Sequence, residues 1–185
     1  IFLLILLCLG GGACHVYTEA RGFLDSKAQI KDGEVILEIP RGRSPQAISE
    51  LLAEKGVVSN PRFFYYYLRY LAKYEGKAEI KSGEYRFTTG VTPREVADKL
   101  NRGEIYKHKI TVPEGLRYEE IAEIFAEKRL ADRDQFLKHC TDKVFVRGLG
   151  IPADTLEGYL YPDTYTLARG LPTEQVVRMM HRRFT

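Results

Sequence analysis

The sequence predicts an α+β fold, with two related strand–helix–helix–strand subdomains that follow an apolar N-terminal segment. The segment from Ile1 to Tyr17 contains no Asp, Glu, Lys or Arg. Beyond it, short stretches with alternating apolar residues precede longer stretches with helical spacing. The pattern also recurs, because I-P-R-G from Ile39 matches V-P-E-G from Val112 at an offset of 73 residues. Each half should therefore form a small antiparallel sheet covered by helices on one face.

The composition is that of a folded protein with a mixed surface. The 185 residues are 44% hydrophobic and 29% charged, which allows a core and excludes a disordered polyelectrolyte. The net charge is only +3, and Lys and Arg alternate with Glu without a basic stripe, so no nucleic-acid partner is expected. The three cysteines form no Cys-x-x-Cys pair, and the sequence predicts neither a metal site nor a cofactor.

The apolar segment at the start predicts a membrane anchor over residues 1–20. A span of about 20 apolar residues crosses the hydrocarbon layer of a bilayer, which is close to the length observed here. A cleaved signal peptide is the alternative interpretation of the same composition. Both interpretations place the rest of the chain outside the cytoplasm.

The first repeat, residues 34–104, begins with an alternating segment from Val35 that predicts a strand ended by a Pro-Gly turn. An amphipathic helix follows, for which Ser44 suits the N-cap and Gly56 the C-terminal stop. A second helix should begin after Asn60. Four of its rings fall at helical spacing and are expected to pack in the core, namely Phe63, Tyr67, Tyr70 and Tyr74.

The first repeat closes with a strand over 84–87, a turn at Thr89 and Gly90, and a helix from Thr92. A strand–helix–helix–strand unit of this size resembles LysM, a peptidoglycan-binding module.

The second repeat, within residues 107–185, has the same order of elements. A strand from His108 and a helix in RYEEIAEIFAEKRL keep the offset of 73 residues. A further helix follows from Asp132, in which Phe136 matches Phe63 at the same offset. In the closing strand the offset is 80, so that Tyr85 matches Tyr165. About seven residues are therefore added to the second copy, around 156–162. A duplicated scaffold that differs in one short segment suggests that function lies there.

The added segment begins the stretch LEGYLYPDTY, residues 156–165. If it is extended, Glu157, Tyr159 and Tyr161 share one face and the two leucines point into the core. Phenol rings stack on the apolar faces of pyranoses, and a carboxyl group enclosed by rings keeps its proton and can donate it to a glycosidic oxygen. The alternative is a tyrosine-rich edge strand with a solvated glutamate.

Two further carboxylates are candidates on weaker grounds. Asp163 could act as a nucleophile in a retaining hydrolysis, although Pro-Asp-Thr is typical turn chemistry. Glu114 stands in the strand-end turn of the second repeat, where it could face a cleft or solvent.

The residues from Leu156 to Tyr165, together with V-P-E-G from Val112, resemble the signature of the MltG/YceG-like family of endolytic murein transglycosylases. The layout is similar too, with an N-terminal membrane span, a LysM-like domain and a catalytic domain. The resemblance covers most of the chain. Family members continue beyond the position of Thr185, so we expect residues 107–185 to be only the N-terminal part of the catalytic domain. This part alone should lack cleft residues that activity needs.

The resemblance implies a lyase that cuts peptidoglycan glycan strands between MurNAc and GlcNAc and leaves 1,6-anhydro-MurNAc ends. Glu157 takes the place of the catalytic glutamate, first as acid to the leaving oxygen and then as base to the C6 hydroxyl of the sugar. No metal or organic cofactor is implied. The substrate-binding candidates are Tyr159, Tyr161, Asp163, Tyr165 and Glu114.

The family trims nascent strands, which implies a single-pass protein of the bacterial cytoplasmic membrane with its main domain in the periplasm or outside the cell. Cell-wall synthases are the implied protein partners. Two alternatives remain open at this point: a membrane-tethered module that binds peptidoglycan without cutting it, and a scaffold for wall synthases.

Overall fold

Each half of the chain pairs its two strands antiparallel and packs its helices against them. The computed structural model describes residues 18–76 and 80–183. The chain divides into a first unit, Ile1–Tyr106, and a second unit, Lys107–Thr185. Both belong to the α+β class, as the sequence predicts.

The first unit contains two strands and three helices within its described residues, after a helical segment over residues 18–24. In chain order these elements are β1 (Glu34–Ile39), α1 (Pro45–Glu54), α2 (Pro61–Tyr74), β2 (Gly83–Thr88) and α3 (Pro93–Arg102).

The sheet of the first unit is a single antiparallel pair. Its register runs from Glu34 opposite Thr88 to Ile39 opposite Gly83. Leu37 and Ile39 are buried on one face of β1, while Ile36 and Glu38, which alternate with them, are exposed. The alternation predicted from the sequence therefore sets which side of the strand meets the helices.

Helix ends in the first unit follow the predicted capping residues. Ser44 Oγ accepts a hydrogen bond from the backbone N–H of Ala47 at 3.2 Å, and Asn60 caps α2 in the same way. Thr92 and Glu95 form a capping box at the start of α3. Gly56 adopts a φ of 71° after α1, a left-handed conformation that suits glycine at a helix end.

The core-facing side of α2 differs from the predicted one. The buried residues are Phe64, Leu68 and Leu71, whereas Tyr70 and Tyr74 are exposed. Their prediction as core rings was wrong, because every position from 63 to 67 carries a ring and more than one face of α2 could therefore have been the apolar one. Phe63 and Tyr67 pack partly buried against the core.

The second unit contains two strands and four helices within its described residues. They are β3 (Lys107–Thr111), α4 (Tyr118–Glu127), α5 (Arg133–Thr141), α6 (Lys143–Gly148), β4 (Thr164–Ala168) and α7 (Thr173–Arg182). β3 pairs antiparallel with β4, from Lys107 opposite Ala168 to Thr111 opposite Thr164.

The two units repeat at the predicted spacings. α1 and α4 begin at Pro45 and Tyr118, and α3 and α7 begin at Pro93 and Thr173, which reproduces the offsets of 73 and 80 residues. The units differ between these points, where the long helix α2 is replaced by the shorter α5 and α6 and a longer loop. The extra length of the second copy thus lies before its closing strand.

Within the described residues, no helix has both the length and the apolar composition needed to cross a membrane. The predicted anchor covers residues 1–20, of which residues 1–17 lie outside the described part of the chain.

Candidate functional site

The segment that was predicted as a strand, 156–161, forms a β-turn instead. The carbonyl of Leu156 accepts a hydrogen bond from the N–H of Tyr159 at 3.0 Å, which closes a four-residue turn. Gly158 occupies the third position with a φ of 79°, a conformation that a type II turn requires and glycine supplies without strain. The extended prediction was wrong because Glu-Gly is turn chemistry between two buried leucines.

Backbone hydrogen bonds hold the turn on both sides. The N–H of Leu156 donates to the carbonyl of Cys140 at the end of α5, over 2.9 Å. The N–H of Tyr161 donates to the carbonyl of Met180 in α7, over 3.4 Å. Leu156 and Leu160 are both buried in the core of the second unit. The two ends of the segment 156–161 are thus held by α5, by α7 and by the two buried leucines, and the tip of the turn is exposed.

Glu157 occupies the second position of this turn and its side chain is exposed. Its N–H donates to Thr155 Oγ1 at 3.4 Å. The expectation of a carboxyl group enclosed by the neighbouring rings is therefore wrong for the described structure. The turn presents Glu157 outward, because the buried positions of the segment are taken by leucines.

The buried thiol of Cys140 is influenced by two carboxylates, those of Glu119 and Glu157. Burial raises the pKa of Cys140 to about 12, and the carboxylates of Glu119 and Glu157 add to this shift. Glu119 lies in the first turn of α4, and its hydrogen bond with Tyr118 raises the pKa of that phenol. Sequence reasoning missed Glu119, although its position four residues after the V-P-E-G turn is a signal that could have drawn attention to it.

The three predicted tyrosines differ in accessibility. Tyr161 has 43% of its surface exposed, and Tyr159 is partly buried against the core. Tyr165 is fully buried, so the expectation that it contacts substrate is not supported by its position. Its hydroxyl donates to the carbonyl of Tyr161 instead, and burial raises its pKa to about 12, with a smaller contribution from Tyr161.

Tyr165 has a counterpart at the same place in the first unit. The hydroxyl of the fully buried Tyr85 donates to the carbonyl of Lys81 at 2.7 Å, four residues earlier as in the second unit. Both tyrosines therefore fix the approach to a closing strand. In the second unit, the residue held in this way is Tyr161, two residues after the turn that carries Glu157.

Asp163 acts as a structural residue in this arrangement. One carboxylate oxygen accepts from the N–H of Thr164 at 2.6 Å, and the other forms an ion pair with Arg183. The Arg183 guanidinium also lies over the ring of Tyr165, 4.9 Å from its centroid. The turn role, one of the two interpretations of Asp163, agrees with these contacts.

The turn that carries Glu114 meets the same end of the sheet. The N–H of Val112 donates to the carbonyl of Asp163 at 2.9 Å, and Thr111 Oγ1 lies 2.9 Å from Thr164 Oγ1. Glu114 itself is exposed. The structure therefore brings the V-P-E-G turn beside the segment that leads from Tyr161 into β4.

The described residues contain no group of three or more His, Cys, Asp or Glu side chains arranged to hold a metal ion. His139, next to Cys140 in sequence, packs its ring against Phe145 at a centroid distance of 4.9 Å.

Comparisons with known proteins identify relatives of this chain. The chain is 28% identical to an endolytic murein transglycosylase of Bacillus subtilis, covering 84% of this chain and 45% of that protein. It is 25% identical to an endolytic murein transglycosylase of Streptococcus pneumoniae, covering 97% of this chain and 36% of that protein. The chain thus spans less than half the length of these curated relatives.

A solved structure of a YceG-like protein from Listeria monocytogenes is 26% identical, covers 83% of this chain and 55% of its own, and superposes with a TM-score of 0.39. The model of the YceG-like family matches residues 37–185, which include all but the first three residues of the first repeat, the second repeat and the turn with Glu157. The chain therefore belongs to the YceG-like family.

Proposed function

We propose that this chain is part of an endolytic murein transglycosylase that cuts the glycan strands of peptidoglycan. The family match over residues 37–185 carries the proposal, because it includes the exposed turn at which the second unit departs from the first. Relatives that bear this name cover 84% and 97% of the chain. The proposal extends their activity to a chain that spans less than half of their length.

Glu157 is the proposed acid and base. As acid it protonates the glycosidic oxygen between MurNAc and GlcNAc, and the bond from that oxygen to the MurNAc C1 breaks. The C6 hydroxyl of the same MurNAc then bonds to C1, and the Glu157 carboxylate accepts the hydroxyl proton. The product is a 1,6-anhydro end, and no water is added. Because Glu157 is exposed in the described structure, the proposal assigns its shielding to the bound strand.

The other site residues take two kinds of role in this proposal. Tyr159, Tyr161 and Glu114 contact the glycan, since their side chains are at least partly accessible and their segments adjoin the start of β4. Asp163 and Tyr165 position the turn through Arg183, Thr164 and the carbonyl of Tyr161.

We also propose the domain bounds and the membrane anchor that the sequence predicts. Residues 34–104 are a LysM-like domain, residues 107–185 begin the catalytic domain, and residues 1–20 anchor the protein in the cytoplasmic membrane with the rest outside. In that place the enzyme would shorten nascent strands beside the wall synthases.

The test is digestion of purified glycan strands with the full-length protein, followed by mass spectrometry of the new ends. We expect 1,6-anhydro ends, and ends that carry one added water would indicate a hydrolase. Glu157→Gln should abolish cutting while the circular dichroism spectrum is unchanged. The matched control is Glu127→Gln, another exposed glutamate of the second unit, which should cut normally.

A second candidate is a wall-binding module without catalytic activity, favoured by the exposure of Glu157 and by the duplicated unit. It predicts that the full-length protein binds glycan strands, that Glu157→Gln binds them equally well, and that no new ends form.

A further inference from the structure

The outward side of α2 carries an aromatic stripe formed by Tyr66, Tyr70 and Tyr74. Their exposed fractions are 62%, 52% and 65%, which is high for such large rings. They follow one another at intervals of four residues, so they form a row along the helix with steps of about 6 Å. The rings of Tyr70 and Tyr74 are in contact, with centroids 5.1 Å apart.

Two basic side chains of α2 lie over aromatic rings, one in the stripe and one beside it. Lys73 Nζ lies 5.0 Å from the centre of the Tyr74 ring, and the Arg69 guanidinium lies 5.8 Å from that of Tyr65. The sequence of α2, PRFFYYYLRYLAKY, has three basic residues and no acidic one. α2 therefore combines the aromatic stripe with a net positive charge, and the first acidic residue after it is Glu75 at the C-cap.

Packing among the described residues of the first unit, 18–76 and 80–106, does not account for the stripe. α2 contributes Phe64, Leu68 and Leu71 to the core, and these lie on the other side of the helix. Three large rings with more than half of their surface in solvent contribute less burial energy than core rings do. A contiguous exposed patch of this kind marks a surface that another molecule covers.

We propose that the aromatic stripe of α2 binds an acidic glycan strand, as a contact surface separate from the turn that carries Glu157. Phenol rings stack on the apolar faces of pyranoses, and their hydroxyls hydrogen-bond to sugar hydroxyls. Arg69 and Lys73 attract the carboxylates of the peptides that such a strand bears. The inference rests on the proposed function only for the choice of peptidoglycan as the glycan. The stripe would bind the strand at a position remote from the bond that is cut.

A membrane surface fits the stripe less well. Helices that lie in a bilayer interface insert Trp, Phe and Leu side chains into the acyl boundary. In α2 the phenylalanine and leucine side chains face the core, and the exposed ridge presents tyrosines, each with a hydroxyl group. A row of rings with polar edges matches a sugar polymer better than a hydrocarbon layer.

The experiment measures binding by isothermal titration calorimetry with soluble, peptide-bearing glycan strands. The full-length protein carries Glu157→Gln, so that strands stay intact on the proposed function. Added to it are Tyr66→Ser, Tyr70→Ser and Tyr74→Ser, singly and together. Each ring should contribute about twofold to tenfold in Kd, and the triple variant should lose about tenfold or more. Ile36→Ser, which alters another exposed side chain of the first unit, is the matched control and should bind normally.

Two further comparisons make the test decisive. Arg69→Gln with Lys73→Gln should weaken binding of peptide-bearing strands but not of strands stripped of their peptides, whereas the matched Lys31→Gln should change neither. Unchanged affinity in folded single and triple tyrosine variants would overturn the inference. So would variants that lose binding to phosphatidylglycerol vesicles but keep their affinity for glycan.

The two proposals can fail independently. A full-length protein that binds strands through the stripe but forms no new ends contradicts the proposed function alone. One that cuts strands with affinity independent of the three tyrosines contradicts the stripe alone.

Discussion

Replacement of Tyr165 by phenylalanine tests whether the buried tyrosine positions the turn that carries Glu157. The change removes one hydroxyl, which donates to the carbonyl of Tyr161, and leaves a fully buried ring in place. Tyr85→Phe is a matched control, because it removes the equivalent hydrogen bond to Lys81 in the first unit.

The expected loss of stability is similar for both variants. A hydrogen bond of this type contributes about 1 kcal/mol net to the free energy of unfolding. The accepting carbonyls belong to Lys81 and Tyr161, and both hydrogen bonds are only partly buried, so we expect the cost to stay near that value in each variant. For a unit of this size, such a change lowers Tm by about 4–8 °C. Circular dichroism is the suitable probe, since the chain contains no tryptophan.

The effect on activity should differ between the variants. Tyr165→Phe loosens the segment that follows Glu157, so we expect slower cutting of glycan strands by the full-length protein below its Tm. Tyr85→Phe should cut at the normal rate, because its hydrogen bond lies in the other unit. Equal rates for both variants, or stability unchanged in Tyr165→Phe, would refute the positioning role.

The pH dependence of stability offers an independent check on Tyr165. Burial raises its pKa from 10.0 to about 12 in the folded protein, so the folded state keeps a proton that the unfolded chain loses first. This contribution to stability is complete below pH 10 and declines as pH rises from about 10 to 12. In Tyr165→Phe the free energy of unfolding should decline less over this interval.

Three other predictions concern the second unit. Cys140 is buried and its pKa is raised to about 12, so peptide mapping after iodoacetamide treatment at pH 8 should find it unlabelled in the native protein and labelled in urea. Gly158→Ala should cost about 1–2 kcal/mol because of the positive φ, while Gly148→Ala, with open space and no positive φ, should be tolerated. Arg183→Gln breaks a partly exposed ion pair with Asp163 and should lower stability by less than about 1 kcal/mol, a loss that 1 M salt should largely mask.

Repetition in the sequence made most of the fold predictable. Two copies of one pattern fix the helix starts, the strand ends and the capping residues, because local rules for strands, turns and caps apply twice to the same arrangement. Ser44, Asn60, Thr92 and Gly56 all take the predicted positions. The matching of Tyr85 with Tyr165 likewise identifies two buried rings with the same hydrogen bond.

The site was harder to predict, because the segment 156–162 has no counterpart in the first repeat. An alternating sequence such as LEGYLY satisfies a strand, yet Gly158 favours a turn, and burial of Leu156 and Leu160 is compatible with both. The hydrogen bond from the N–H of Tyr159 to the carbonyl of Leu156 shows the turn, and it cannot be read from the sequence. The exposure of Tyr70 and Tyr74 was also out of reach. The consecutive rings of α2 allow more than one face to be the core, and the choice depends on tertiary packing.

The two hydrogen bonds that flank the turn, to Cys140 and to Met180, have a consequence for how such a protein can change. The residues between Leu156 and Tyr161 form a loop whose two ends are held by these hydrogen bonds. Its length and sequence can therefore change without a shift in the register of β3 and β4. The first unit has a hydrogen bond equivalent to the one between Tyr161 and Met180, in which the N–H of Lys81 donates to the carbonyl of Leu100 over 3.3 Å. The loop that carries Glu157 can thus vary in length and sequence while β3 and β4 keep their pairing, and the first unit shares the second of its two anchoring hydrogen bonds.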